Sequence, residues 1–90
     1  MDKLQTLLKG LQQFTKDELV FTTYKDKYKQ RTMVWIKVFQ GSNFNVYVYN
    51  DGSVEGSISS MSIEDSNKHS LKVNAQVTNL ISQLKDESYM

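Results

Sequence analysis

Side chains that can stack on a planar ligand and hold an anion recur in the middle of this 90-residue chain. Trp35, Lys37 and Phe39 alternate along one segment, and Tyr47 and Tyr49 alternate along another. Sheets that bind single-stranded nucleic acid use this combination, since each base stacked on an aromatic ring contributes about 1–3 kcal/mol while cations contact phosphates. Aromatic residues are also enriched at protein–protein interfaces. The pattern therefore indicates a binding surface for nucleic acid, for another protein, or for a second copy of the chain.

A second candidate site is the segment from residue 24 to residue 31, here called the basic tip, in which Asp26 is the single acid. In a hairpin, its cations could lie along a phosphate backbone through contacts that weaken steeply with salt. A solvated loop explains the same residues, because lysines also discourage pairing between sheet edges. The net charge of +1 is low for a dedicated nucleic-acid binder, so nucleic acid is the second choice of partner. The candidate contact residues of the two sites are Tyr24, Lys25, Lys27, Tyr28, Lys29, Arg31, Trp35, Lys37, Tyr47 and Tyr49.

Catalytic and metal-binding patterns are missing from the sequence. There is no cysteine and His69 is the single histidine, so neither a thiolate site nor a two-histidine metal site can form. Asp51 belongs to a turn, and Glu64 and Asp65 suit the start of a helix, so these acids have local structural explanations. No nucleophile elbow, phosphate-binding loop or dinucleotide fingerprint occurs. We therefore predict a protein that is not an enzyme and that uses no cofactor or metal.

The spacing of apolar residues predicts the elements that position these side chains. From residue 3 to residue 14, apolar residues recur every three or four positions, which is typical of an amphipathic helix. Further along, segments rich in β-branched and aromatic residues alternate with polar turns, which predicts strands. Asn50-Asp51-Gly52 is a strong hairpin signal, because Gly52 can adopt a left-handed conformation. The four strands are predicted at residues 19–24, 32–40, 44–49 and 54–60.

Three-residue loops keep the apolar positions of these strands on one face of the sheet. A loop at residues 50–52 pairs Val48 with Val54, and a loop at residues 41–43 pairs Ile36 with Val48. The predicted core face consists of Val34, Ile36, Val38, Phe44, Val46, Val48, Val54 and Ile58. The opposite face consists of Met33, Trp35, Lys37, Phe39, Asn45, Tyr47, Tyr49 and Glu55.

The C-terminal third allows two interpretations. Apolar residues from Val73 to Leu84 lie at helical spacing, and Ser62-Ile63-Glu64-Asp65 resembles a capping box that would begin a helix. Residues 71–77 also alternate between apolar and polar types, so a fifth strand at residues 70–78 with a short helix after it is the alternative. We favour the helix.

The placement of the two helices decides whether the aromatic side of the sheet is available for binding. If each helix covers one face, Trp35 belongs to a core; if both helices cover the same face, Trp35 is exposed. We favour a helix packed over the aromatic side. An aromatic patch of this size left open on a monomer would indicate an interaction surface.

Together these patterns predict one α+β domain spanning residues 1–90, a four-stranded antiparallel β-meander flanked by two amphipathic helices in the order α-β-β-β-β-α. The lack of cysteines, of a signal-peptide pattern and of an apolar run near about 20 residues predicts a cytoplasmic location, in a cell or in an infected host, and no membrane partner. The predicted function is that of a small non-catalytic regulatory protein that contacts a larger protein, as do stoichiometric inhibitors and adaptors, including those of phages and mobile elements. A nucleic-acid-binding protein is the alternative, and a homodimer formed through the aromatic face is a third hypothesis.

Overall fold

Two helices and four strands form most of the chain in the computed structural model, which describes residues 2–59 and 68–87. They follow one another as α1 (Lys3–Leu11), β1 (Leu19–Asp26), β2 (Arg31–Val38), β3 (Asn43–Tyr49), β4 (Val54–Ser59) and α2 (Lys68–Glu87). Each strand pairs antiparallel with its neighbour in sequence, so the sheet order is β1-β2-β3-β4. The predicted α-β-β-β-β-α arrangement is confirmed.

Local hydrogen bonds set both ends of α1. The Asp2 side chain accepts a hydrogen bond from the Gln5 backbone N–H at 2.7 Å, which satisfies a donor at the helix start. The helix ends at Leu11, earlier than the predicted end at residue 14. The Phe14 N–H bonds to the Leu11 carbonyl at 3.2 Å, three residues back, which tightens the chain into a turn. Phe14 nevertheless packs against the core.

The β3–β4 hairpin has the predicted register. Val48 lies opposite Val54. The Tyr49 N–H donates to the Ser53 carbonyl at 2.9 Å, which leaves three residues in the loop. Gly52 has a φ of 93°, the left-handed conformation that glycine adopts without steric cost. The hairpin signal in the sequence was therefore sufficient to define this turn.

The predicted register of the β2–β3 hairpin is wrong. Ile36 lies opposite Phe44 and not opposite Val48, because the loop begins and ends two residues earlier than predicted. The Val38 N–H donates to the Ser42 carbonyl at 3.1 Å and closes the hairpin there. Each β2 residue consequently faces a β3 residue about four positions away from the expected one. Because that shift is an even number of residues, the same side chains still point toward the core.

Contacts with α2 explain where this loop closes. Asn74 Oδ1 accepts a hydrogen bond from the Ser42 N–H at 3.1 Å, and Ser70 Oγ donates to the Phe39 carbonyl at 2.6 Å. A Cβ added to Gly41 would lie 2.7 Å from Asn74 Oδ1, so a larger residue would displace neighbouring side chains. The turn is thus selected by a helix 32 positions away in sequence, which local hairpin rules do not consider.

Both helices pack on the same face of the sheet, so the favoured arrangement, with a helix over the aromatic side, is wrong. Four strands about 4.8 Å apart form a layer roughly 15–20 Å wide, and two helices of about 10 Å diameter match that width when they lie side by side. The helices contribute Leu7, Leu11, Val73, Val77, Ile81 and Leu84 to the buried cluster. The sheet contributes the predicted Val34, Ile36, Val38, Phe44, Val46, Val48 and Val54. The side chain of Ile58 lies outside the described part of the chain.

The C-terminal segment is helical from residue 68 to residue 87, as favoured, and the alternative of a fifth strand at residues 70–78 is wrong. Its buried residues recur every three or four positions from Val73 to Leu84, whereas Leu71, which created the alternating pattern, is exposed. Neither helix, over the residues described, is long and apolar enough to cross a membrane. The predicted capping box at residues 62–65 and the predicted strand end at residue 60 lie outside the described residues.

Candidate binding surface on the open sheet face

The sheet face opposite the two helices is covered by no element within residues 2–59 and 68–87 and is here called the open face. Strand alternation places Trp35 on it, while the adjacent Val34 and Ile36 are buried on the helix side. The register sets Trp35 between Thr22 of β1 and Asn45 of β3. The aromatic side of the sheet is therefore accessible from solvent.

Exposed apolar side chains form a stripe along β1 and β2. The rings of Tyr24 and Trp35 are stacked, with centroids 6.4 Å apart and planes inclined by 19°, yet the two residues are 55% and 43% exposed. Val20 borders one depression with Trp35 and another with Phe39, which joins these residues into one surface. Tyr24, Trp35, Val20 and Phe39 are here called the apolar stripe. Ring stacking restricts the side chains of its largest members before any ligand binds, which reduces the entropy lost on binding.

A shallow depression of about 440 Å³ adjoins the indole of Trp35 on the side away from Tyr24. Its floor is the backbone of β1, β2 and β3, and its rim carries both hydrogen-bond donors and acceptors. A planar or branched group could lie against the indole there while Lys37 and the side-chain amides of Asn43 and Asn45 contact its polar atoms. The rim side chains are Val20, Thr22, Trp35, Lys37, Asn43 and Asn45.

Arg31 is held within the open face by its neighbours. Its guanidinium carbon lies 4.4 Å from the ring centroid of Tyr47, and its Nη1 donates to the Tyr49 hydroxyl at 3.2 Å. That hydroxyl donates to Glu55 Oε2 at 3.1 Å, and Asp26 Oδ2 lies 3.9 Å from Arg31 Nε. The hydrogen bond to Tyr49 is the main cause of a raised Arg31 pKa. Arg31 therefore organises the sheet surface and is poorly placed to contact a phosphate.

The basic tip is divided between the two sides of the sheet. Lys25 alternates with Tyr24 and points to the helix side, whereas the exposed Lys27, Tyr28 and Lys29 lie in the turn. Asp26 orders that turn, because its Oδ1 accepts from the Tyr28 and Lys29 backbone N–H groups at 3.1 and 3.3 Å. Of the ten predicted contact residues, the open face brings together Tyr24, Arg31, Trp35, Lys37, Tyr47 and Tyr49.

Sequence reasoning did not propose Val20, Thr22 and Asn43 as contacts, although they border the depression beside Trp35. The alternation of Leu19 and Phe21 with Val20 and Thr22 contained the necessary signal, since Leu19 is buried and Val20 exposed. What the sequence lacked was the β1–β2 register, which sets Val20 opposite Lys37. Without that pairing, these residues could not be assigned to the surroundings of the indole.

Asp51, one of the acidic residues considered for chemistry, has local structural partners, whereas Glu64 and Asp65 lie outside the described residues. Asp51 Oδ1 accepts from the Ser53 hydroxyl at 2.7 Å and from the Ser53 N–H at 2.9 Å, and these bonds lower the Asp51 pKa. His69 is exposed and lies 2.9 Å from Glu18 Oε2, which joins the start of α2 to the start of β1. No group of three or more potential metal ligands occurs in the described ranges. The open face is consequently the candidate site with the most support from geometry.

Comparison of the chain with protein-family models, with curated protein sequences and with solved structures finds no match.

Proposed function

We propose that this chain is a small non-catalytic binding protein that regulates a larger protein by occupying part of its surface, as a stoichiometric inhibitor or an adaptor does. The observation that carries the proposal is the apolar stripe, a row of half-exposed aromatic and aliphatic side chains on a sheet face that no described element covers. Patches of this kind on soluble proteins are typical of interaction sites. The stripe is the center of the contact and the polar residues around it are the rim.

The charges around the apolar stripe favour a partner with an acidic rim. Lys16 and Lys37 border the depression at Val20 and Phe39, and Lys27 and Lys29 extend from the turn at the other end of β1. Asp26 lies close to Arg31 and is unavailable to offset these lysines. A partner surface with an apolar centre and surrounding carboxylates would therefore be complementary, and the charges would mainly accelerate association.

Nucleic acid is the second candidate, and the position of Lys37 beside the exposed Trp35 is the observation that favours it. Two features make it the weaker proposal. Arg31 is engaged by Asp26 and Tyr49, and Lys25 points to the other side of the sheet from Trp35. Few cations therefore remain on the open face to follow a phosphate backbone.

Capture of a partner from the native host extract tests the proposal. Trp35→Glu places a charge at the center of the apolar stripe and should abolish capture, because the contact would have to bury that charge. Leu71→Glu is the matched control, since Leu71 is similarly exposed, at 48%, but lies on α2 away from the open face. Equal loss of capture by both variants, or retention by Trp35→Glu, would rule out the open face as the contact.

Fluorescence anisotropy with labelled single-stranded and duplex oligonucleotides separates the two candidates. Binding of wild type that weakens as salt rises, and that is lost in a Lys37→Glu variant, would favour nucleic acid. Flat anisotropy at micromolar protein, together with capture of a protein that depends on Trp35, would favour the regulatory function.

A further inference from the structure

The outer edge of β1 presents backbone hydrogen-bonding groups that no described residue satisfies. In an antiparallel ladder, alternate residues direct their N–H and C=O groups toward the same neighbouring strand. The Phe39 N–H donates to the Glu18 carbonyl at 3.0 Å. Every second residue after Glu18, beginning with Val20 and Thr22, therefore directs its backbone N–H and C=O groups toward β2. The intervening Phe21, Thr23 and Lys25 consequently point their backbone groups away from the sheet. This row is the hydrogen-bonding pattern onto which another strand can add.

The outer edge of β4, at the opposite side of the sheet, is partly covered by α2. Along β4, the same alternation turns the backbone of Gly56 outward. The ammonium group of Lys85 in α2 donates a hydrogen bond to the Gly56 carbonyl at 3.4 Å, and Ile81 of α2 packs against the same glycine. α2 therefore covers part of the β4 edge, and β1 is the more accessible of the two.

β1 also has the regularity that strand addition requires. All eight of its residues pair with β2 in one uninterrupted register, without a bulge. The chain contains no proline to block an edge, and the centre of β1 is Val-Phe-Thr-Thr-Tyr, which consists of residues that favour strands. Edges that are long, flat and free of bulges are those that pair with another chain unless charges prevent it.

The charges flanking β1 select one kind of partner strand. Asp17 and Glu18 outnumber Lys16 before the strand, and Lys25, Lys27 and Lys29 outnumber Asp26 at its end. When two β1 strands pair antiparallel around residues 21–23, the turn that carries Asp17 in each copy lies near the lysine-rich turn that follows β1 of the other copy. Opposite charges brought close together attract and like charges repel, most strongly at low salt. A parallel arrangement would set lysine against lysine, so the edge is complementary to itself only in the antiparallel sense.

We propose that β1 pairs antiparallel with β1 of a second copy of the chain, which joins two four-stranded sheets into one eight-stranded sheet with two-fold symmetry. In this arrangement the open faces of the two copies lie on the same side of the joined sheet, and the helices of both copies lie on the other side. The two apolar stripes then lie on one side of the dimer and form a surface that can contact a partner twice. The dimer does not depend on the proposed regulatory function, because pairing occurs at the edge and partner contact at the open face.

A proline at position 23 tests the edge directly. Thr23→Pro removes an N–H that points away from β2, so the hydrogen bonds within the chain are kept while the outer edge is blocked. By light scattering at hundreds of micromolar protein, wild type should have about twice the monomer mass of 10.4 kDa, and Thr23→Pro should have the monomer mass. Thr23→Val is the control, since it retains the N–H and the β-branched shape, and it should remain dimeric.

Charge reversal provides a second test that does not depend on tolerance of proline. Asp17→Lys makes both ends of β1 basic and Lys27→Glu makes the end of the strand more acidic, so each variant alone should self-associate about tenfold more weakly than wild type. Mixed together, the two variants should form a heterodimer, because each basic end then meets an acidic one. Each variant changes one exposed side chain, so the fold should be retained.

Three results would overturn the proposal. Wild type could be monomeric at the highest concentration measured, Thr23→Pro could fold and remain dimeric, or the mixed charge variants could associate no better than either alone. A dimer that Trp35→Glu dissociates and that folded Thr23→Pro preserves would place self-association on the open face instead. Conversely, a Trp35→Glu protein that stays dimeric but captures no partner would support both the edge pairing and the separate regulatory contact.

Discussion

The two faces of the sheet differ in what covers them among the described residues. On the helix side, Val34, Val46 and Phe44 are at most 1% exposed beneath α1 and α2. On the open face, Trp35 lies between the buried Val34 and Ile36 on the same strand and remains 43% exposed. Strand alternation thus places buried core residues and exposed candidate contact residues next to each other on one strand. Substitutions on one face should change the free energy of unfolding, and substitutions on the other should change binding.

The largest difference is expected between two phenylalanines near the β2–β3 turn. Phe44 is fully buried, so Phe44→Ala should lower the free energy of unfolding by about 3–5 kcal/mol through lost burial and a residual cavity. Phe39 is 60% exposed, so Phe39→Ala should change the free energy of unfolding by no more than about 0.5 kcal/mol. Urea denaturation followed by circular dichroism measures both. Similar losses from the two variants would show that the open face is also a core.

The contact between the β2–β3 loop and α2 should have an intermediate effect. Gly41→Ala places a Cβ 2.7 Å from Val38 Cγ1 and from Asn74 Oδ1, and the required displacement should cost about 1–3 kcal/mol. Gly52→Ala is a contrasting control, because no atom lies within 4 Å of its added Cβ and only the left-handed backbone is strained, at roughly 1 kcal/mol. Thermal unfolding of both proteins measures the difference. A harmless Gly41→Ala would mean that the loop is not held against α2.

A smaller effect on stability is expected at the stacked rings of the open face. Tyr24→Ala removes the ring that covers one side of Trp35 and should cost at most about 1 kcal/mol, because both rings are half exposed. Acrylamide should quench Trp35 fluorescence in wild type and quench it more strongly in Tyr24→Ala. Tyr28→Ala removes a tyrosine that is fully exposed in the turn and should leave quenching unchanged. If Tyr24→Ala leaves quenching unchanged, the rings do not stack in solution.

The smallest effect concerns pH and the exposed link between the start of β1 and α2. The Thr15 N–H donates to Glu18 at 2.8 Å and is the main cause of the lowered Glu18 pKa, with a further contribution from His69. A carboxylate whose pKa is lowered by folding stabilises the protein at pH values above the pKa that it has in the unfolded chain, near 4.5. This contribution is lost as the pH falls through the lower pKa of the folded protein. The stability difference between wild type and Glu18→Gln should therefore shrink on acidification below pH 4.5.

Titration of Glu18 by NMR measures the same effect directly. In His69→Ala the Glu18 pKa should rise only part of the way to its ordinary value, because the bond from Thr15 remains. A complete return to the ordinary value would assign the shift to His69 alone, and no change would show that the contact between His69 and Glu18 does not form in solution.

The elements and the inward-facing residues were predictable because they depend on short spacings. Val46 and Val48 alternate with Tyr47 and Tyr49, and this pattern specifies a face whatever the neighbouring strand is. The β3–β4 turn was predictable for a similar reason, since Gly52 satisfies a backbone requirement within its own loop. The β2–β3 turn was not, because Ser42 and Gly41 are held by Asn74, a residue on α2.

The candidate site was predicted in composition and only partly in arrangement. Trp35, Tyr47 and Tyr49 share the open face as expected. Arg31 was predicted as a contact residue of the basic tip, but it lies against the ring of Tyr47. Its partners come from β1 and β3, and only the full register brings them next to the guanidinium.

By itself, the sequence determined the order of the elements, the side chains that each strand turns inward, and the turn at Gly52, because these follow from periodicity and local backbone chemistry. The tertiary structure decided which face the helices cover, which edge of the sheet is accessible, and which cations are neutralised by neighbours. Those outcomes depend on matching the widths of two layers and on contacts between residues distant in sequence. Exposure of Trp35 follows from them, since an aromatic side chain on a strand is core or contact surface according to what packs on its side of the sheet.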